Sequence, residues 1–166
     1  MKLFKATVLL FLIALTSCKN DANTIASLES IQLELKKAYA PDKRVELFDI
    51  QFTSKNNQFI VSGETTTKKA LDFLVDSLKS KNIDFKNKVR VLPDSAVGSK
   101  IYALGNNSVI NIRSKSKHSA ELGTQGLLGM QLNVLDKKGS WYRVQTPDKY
   151  ISWVDAGGIQ LMTAQE

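Results

Sequence analysis

The spacing of apolar residues changes several times along this chain of 166 residues, and each change predicts an element. Ala6 to Leu15 is a run of ten, apolar except for Thr7. A membrane-spanning helix needs about 20 such residues, so the run is too short to span. Residues 19–26 are small and polar and read as a tether. Leu28, Ile31, Leu35 and Ala38 then recur at three and four, the spacing of an amphipathic helix, and Pro41 and Asp42 end it. Between Arg44 and Ser54 the period becomes two. Phe48, Ile50 and Phe52 share one face of a strand, Asp49 and Gln51 the other. Asn56-Asn57 can turn the chain, and Gln58 to Glu64 is the return strand, with Gly63 marking its end or a bulge. Thr65, Thr66 and Thr67 offer hydroxyls to cap a second helix, whose stripe is Leu71, Leu74, Val75 and Leu78. A third strand alternates Phe85, Val89 and Val91 with Lys86, Lys88 and Arg90, until Pro93, Asp94 and Ser95 break it.

From Ser99 onward no helical stripe occurs. Short alternating runs are separated by Asn106-Asn107, Lys137-Lys138-Gly139, Thr146-Pro147-Asp148 and Gly157-Gly158, all turn chemistry. Five or six strands in so short a segment predict a small closed barrel. The fold class is therefore α+β, helix-strand-strand-helix-strand, over residues 27–95, followed by an all-β barrel over residues 98–163. Each part has its own periodic pattern, and the join from Pro93 to Gly98 is loop-like, so the two are expected to fold separately.

Composition narrows the function. One Cys and one His exclude an internal disulfide framework and a Cys/His zinc cluster. The chain carries 23 Lys and Arg against 16 Asp and Glu, a net charge of +7.

The apolar run ends in Leu15-Thr16-Ser17-Cys18, with Lys2 and Lys5 before it and Lys19, Asn20 and Asp21 after it. A basic start, a short apolar run and small residues are the parts of a secretory signal. Leu, two small residues and Cys at this place resemble the lipobox of bacterial lipoproteins. The resemblance implies a signal peptide over residues 1–17, cleavage before Cys18, and a diacylglyceryl thioether on that Cys at the head of a tether over 18–26. Two or more acyl chains hold a protein to a membrane stably where one does not. Loss of residues 1–17 removes two lysines and no acid, so the charge excess falls from seven to five. The expected place is the cell envelope, on the periplasmic side of the outer membrane, where nucleic acid is not an expected partner.

The order of elements over residues 28–94, with Val61-x-Gly63, resembles the BON family of envelope domains. That family is associated with phospholipid surfaces or protein contacts. Lys86, Lys88 and Arg90 on one face would suit anionic headgroups; the competing reading is the ordinary solvated face of an antiparallel strand.

The second half resembles bacterial SH3-like domains. Val109-Ile-Asn-Ile-Arg-Ser114 is similar to their opening segment, Leu122-Gly123-Thr124 and Leu128-Gly129 to the glycine turns that follow. Leu132-Asn-Val-Leu135 matches the central strand, and Trp141-Tyr-Arg-Val144 and Ser152-Trp-Val154 match the two aromatic strands. Lys115-Ser116 replaces the frequent Gly-Pro, and Ser152 the usual Gly. The resemblance implies binding, commonly of peptidoglycan or its peptide stems or of a wall-associated protein. The layout of lipobox, small α+β domain and SH3-like barrel also resembles the front of NlpC-type lipoprotein cysteine peptidases, which carry a catalytic domain after the barrel.

No enzyme is expected in these residues. Cys18 is committed to lipid, and a Cys peptidase needs a thiolate beside a His. Gly-x-Ser-x-Gly, a phosphate loop and a dinucleotide fingerprint are all absent from the sequence, so no cofactor is expected. The binding candidates are Trp141, Arg113, Arg143, Tyr102 and His118. Strand alternation sets Trp141 and Arg143 opposite Tyr142 and Val144, so they avoid the core if Val144 points inward. An outward Trp stacks on sugar or peptide; alternatively it closes the barrel end by packing under a loop. Arg113 could pair with a stem-peptide carboxylate or bond a loop carbonyl. Trp153 is expected in the core and Tyr102 mainly so, while His118 is expected in solvent.

Overall fold

The computed structural model describes residues 22–55 and 58–166. The signal segment, Cys18 and the turn at Asn56-Asn57 lie outside the described residues.

The described chain opens in a helix, α1, which runs to residue 39. Its last bond is from the Ala40 amide to the Lys36 carbonyl, and Pro41, which cannot donate, follows. Strand β1 (Phe48–Lys55) pairs antiparallel with β2 (Gln58–Thr65); helix α2 (Lys68–Ser80) then crosses over to β3 (Phe85–Val91), which runs parallel to β2. The sheet order is β1-β2-β3. Leu28 of α1, Phe48, Ile50 and Val61 of the sheet, and Ala70, Leu74 and Leu78 of α2 form one core. Each large side chain removed from water contributes about 1.5–3 kcal/mol. An exposed pair such as Lys68–Asp72 adds a few tenths. Packing therefore decides where α2 lies.

Three local expectations change. Gly63 neither ends β2 nor bulges it: the register Ile50↔Gly63 is unbroken and the strand continues to Thr65. Its φ is +125°, and a Cβ there would sit 2.0 Å from the Asp49 carbonyl oxygen, so only glycine fits. The threonines do not cap α2, since Thr67 makes no side-chain cap bond. Instead the Thr65 hydroxyl donates to the Leu47 carbonyl at 2.8 Å, and the Thr66 hydroxyl donates to Glu46 at 2.6 Å. They staple the entry of β1 to the exit of β2. Finally, β3 is an edge strand: Phe85 and Val89 are half-buried and Val91 is exposed.

The second half holds seven strands: β4 (Tyr102–Gly105), β5 (Val109–Arg113), β6 (Leu122–Leu127), β7 (Gln131–Lys138), β8 (Trp141–Gln145), β9 (Ile151–Asp155) and β10 (Ile159–Met162). Their order is β10-β4-β7-β8-β9-β5-β6, an open sheet and not the closed barrel expected. The sheet curls around Ala103, Ile110, Ile112, Leu132, Val134 and Val144. Its two edges are β10 and β6, and past the β4–β7 pairing Gly105 donates to Met130 and accepts from Gly129. The architecture is mixed α+β.

The two cores are separate, and charged side chains pack the surface between them. Arg143, on the outer face of β8, is ion-paired to Glu64 of β2 and lies 3.8 Å from Asp136 of β7. Arg90 of β3 reaches across to the same Asp136 at 2.6 Å, and lies 3.3 Å from Glu64 and 3.4 Å from Asp94. Its guanidinium is thus engaged across the seam and is not a free member of a solvated stripe. Lys86 and Lys88 remain exposed. Backbone bonds join the halves too: Asp94 to the Leu135 carbonyl, and Ile151 to the Arg44 carbonyl at 2.6 Å. The loop supplying that carbonyl is folded by Asp42, which accepts from the Arg44 backbone and guanidinium. Those bonds lower the Asp42 carboxyl to about 2.

The asymmetry of exposure across this seam generates a prediction. Asp136 is 5% exposed, so Asp136→Ala removes the buried counter-charge that two guanidinium groups share and lowers stability by about 3 kcal/mol. Arg90 has a half-exposed side chain, and Arg90→Gln costs about 1 kcal/mol or less. Urea denaturation of both variants checks the order; equal losses would show that burial of Asp136 does not set the strength of the seam.

Candidate ligand-binding site

Three of the five binding candidates meet in one cleft. Arg113 (β5), His118 (the loop between β5 and β6) and Trp141 (β8) line an open cleft of about 340 Å³ together with Asn111 and Asp155. The local sequence explains the convergence. β8 pairs with β9, which sets Trp141 opposite Asp155. β5 pairs with the other edge of β9, which sets Arg113 opposite Trp153. The loop from Ser114 to Glu121 is closed by the Ser114 amide on the Glu121 carbonyl and by Ala120 on Lys117, and it folds His118 back over the sheet.

Trp141 lies on the outer face, as alternation requires, yet it is buried, at 7% exposure. His118 covers it, with ring centroids 5.0 Å apart in an edge arrangement, while the His118 side chain itself stays in solvent. The sequence alternative in which a loop packs over Trp141 describes this placement. The His118 Nε2 lies 3.9 Å from an Asp155 carboxylate oxygen. The other Asp155 oxygen accepts from the Gly157 amide, which fixes the carboxylate at the cleft rim. Arg113 is half-buried and donates to the Ala120 carbonyl at 2.9 Å, the second of its two readings. Ser152, in place of the usual Gly, is buried and donates its hydroxyl to the Arg113 carbonyl. The arrangement presents an imidazole, a carboxylate and side-chain amides around an aromatic floor. That suits a polar chain with apolar edges, such as a peptide or sugar.

The other two candidates lie elsewhere. Arg143 is held in the seam by Glu64 and Asp136, and its guanidinium sits over the Trp153 ring at 4.8 Å. Trp153 is therefore a half-buried residue of the outer face and not of the core, because Ser152 and Val154 take the inward positions of β9. Tyr102 is 41% exposed on β4 and lines a different groove, so it belongs to the rim. Sequence reasoning missed Asp155, whose only signal was its place directly after the Ser152-Trp153-Val154 strand. Lys86 and Lys88 lie on the face of the three-stranded sheet opposite Phe85 and Val89. Among the described residues no group of three or more His, Cys, Asp or Glu could hold a metal ion, and no helix is long and apolar enough to cross a membrane.

The curled sheet is a bacterial SH3-like domain. Residues 112–159, from β5 to the start of β10, match the family described as the bacterial dipeptidyl-peptidase Sh3 domain. No curated protein matches the chain.

The cleft predicts a division between its two aromatic rings. Trp141→Ala opens a cavity under the His118 loop and should cost about 3–5 kcal/mol. His118→Ala removes an exposed ring and should change stability by no more than about 0.5 kcal/mol, while shifting Trp fluorescence to the red as Trp141 becomes wet. Thermal melts and emission spectra of the two variants check this. A large loss of stability for His118→Ala would make the loop a structural brace.

Proposed function

We propose that this protein is a non-catalytic, lipid-anchored binding module of the bacterial cell envelope. In this reading its SH3-like domain contacts peptidoglycan peptide stems or a wall-associated protein. The observation that carries the reading is the convergence of Arg113, His118, Trp141 and Asp155 in one cleft of an SH3-like domain. Lys115 and Lys117, on the same loop as His118, favour a ligand with carboxylates.

The anchor rests on the lipobox-like Leu15 to Cys18, and the place on the periplasmic side of the outer membrane rests on that anchor. Two acyl chains on Cys18 would hold the protein at the membrane while the domains face the wall. The α+β half, which resembles BON domains in element order, would lie near the lipid surface and offer Lys86 and Lys88 to anionic headgroups. Arg90 is spent in the seam and adds little there.

A second reading is favoured by the family name of residues 112–159, which attaches such domains to dipeptidyl-peptidases. The chain would then be the targeting portion of an NlpC-type cysteine endopeptidase, with catalysis supplied by a further domain or a separate chain.

Two measurements test the proposal. Cys18→Ser should abolish incorporation of radiolabelled fatty acid and leave the precursor uncleaved; label retained on that variant would overturn the anchor. The protein should be retained on purified peptidoglycan sacculi. Replacing His118 by Ala together with Lys115 and Lys117 by Gln should weaken retention by roughly thirtyfold, the effect of losing about 2 kcal/mol from an interface centre. Unchanged retention with an unchanged melting temperature would move the contact surface away from this cleft.

A further inference from the structure

A second groove crosses the SH3-like domain away from the cleft of Trp141, and its chemistry is different. Its floor is a row of neighbours on adjacent strands. Met162 of β10 faces Tyr102 of β4, Tyr102 faces Asn133 of β7, and Asn133 faces Gln145 of β8. All four point away from the core, since Ala103, Leu132 and Val144 take the inward positions. One cavity of about 480 Å³ lies along this row toward Pro147 and Thr163. Another of about 310 Å³ runs from the same row to the seam, against Thr66, Pro93 and Ile101. The two share Tyr102, Asn133 and Gln145, so they form one elongated depression.

Two features identify what would lie there. The first is unused hydrogen-bonding capacity. Among the described residues the Tyr102 hydroxyl and the Asn133 side-chain amide bond to nothing in the protein. Gln145, by contrast, is fixed, because its Nε2 donates to the Val45 and Lys149 carbonyls. A half-exposed tyrosine beside an amide with both donor and acceptor free suits an extended peptide, whose backbone alternates acceptor and donor. The second feature is charge. In a chain with an excess of seven basic residues, the charged side chains lining this groove are both acidic, Glu46 at the seam and Glu166 at the far end. Glu46 is held in place by the Thr66 hydroxyl at 2.6 Å. Glu166 accepts from the Thr163 amide at 2.8 Å, and Lys100 acts on it from nearby, so it is the weaker of the two as a cation partner.

We propose that the groove across β4, β7 and β8 binds an extended peptide bearing a free primary amine, with Tyr102 and Asn133 meeting the peptide and Glu46 meeting the amine. This goes beyond the reading of the Trp141 cleft and does not rest on it. One cleft offers an imidazole beside lysines, the other offers carboxylates, and a ligand suited to one is mismatched to the other.

The test uses the full chain in a mild detergent, with its backbone amide resonances assigned. The probe is the peptide Ala-Ala-Lys-Ala, blocked at both ends so that the lysine amine is its only charge. Titration should shift the amides of Leu104, Asn133 and Gln145. The same peptide acetylated on the lysine should bind about tenfold more weakly, as a charge-assisted contact is lost. Glu46→Gln, which still accepts from Thr66, should reproduce that loss, and Tyr102→Ala should weaken both peptides. His118→Ala should leave the titration unchanged. The proposal is overturned if those three amides do not move, if the acetylated peptide binds equally well, or if the shifts fall in the Trp141 cleft.

Discussion

The guanidinium of Arg143 holds the two halves of this protein in one relation. It is nearly withdrawn from solvent, with Trp153 beneath it, Glu64 of the α+β half on one side and Asp136 of its own sheet on the other. A charge so placed costs several kcal/mol to desolvate, and only close counter-charges offset it. Separating the halves therefore breaks the Arg143–Glu64 and Arg90–Asp136 pairs together. Arg90 completes the arrangement from the opposite direction by bonding the same Asp136, which raises the Arg90 pKa above its ordinary value. The seam is a shared electrostatic unit laid between two hydrophobic cores.

That seam also shapes both clefts. It occupies the outer faces of β7 and β8, where Arg143 and Asp136 project, and so divides the surface of the SH3-like domain. On one side the loop of Lys115 to Ser119 folds onto Trp141. On the other, the row from Met162 to Gln145 runs up to the linker, and Gln145 bonds the Val45 carbonyl. The α+β half is thus a wall of the second groove, because Glu46 and Thr66 come from it.

The element order was legible because each segment has a clean period. The stripe of Leu71, Leu74 and Leu78 and the alternation of Phe48, Ile50 and Phe52 leave little choice of structure. Barrel closure was not legible, since it depends on whether β6 and β10 pair, and nothing in Leu122–Leu127 or Ile159–Met162 specifies a partner. The seam was not legible either. Glu64 and Arg143 are 79 residues apart, and a single acid and a single base at that distance carry no pattern. For the site, alternation placed Trp141 on the outer face, but outer is not exposed: a loop with no period of its own decided its burial. Trp153 went the other way because inward positions of β9 belong to Ser152 and Val154.

The four arginines of the chain show why counting positive charge overstated the binding surface. Arg44 is forked onto Asp42, Arg90 donates to Asp136, Arg143 to Glu64, and Arg113 to the Ala120 carbonyl. Each is engaged inside the protein, as the rigid planar fork of a guanidinium favours: it satisfies fixed acceptors with little loss of freedom. Lysine, a strongly hydrated point charge on a flexible stem, gains less from such a role and stays in water. Lys86, Lys88, Lys115 and Lys117 do so here. Three of the residues singled out from the sequence as meeting a ligand were arginines, and all three serve the fold. The positive charge that an outside anion can meet is lysine charge, concentrated on the helix-free face of the three-stranded sheet and on the loop that covers Trp141. Attraction at these places is long-ranged, weakly directional and screened by salt. Directional recognition must therefore come from the neutral polar and aromatic groups beside them.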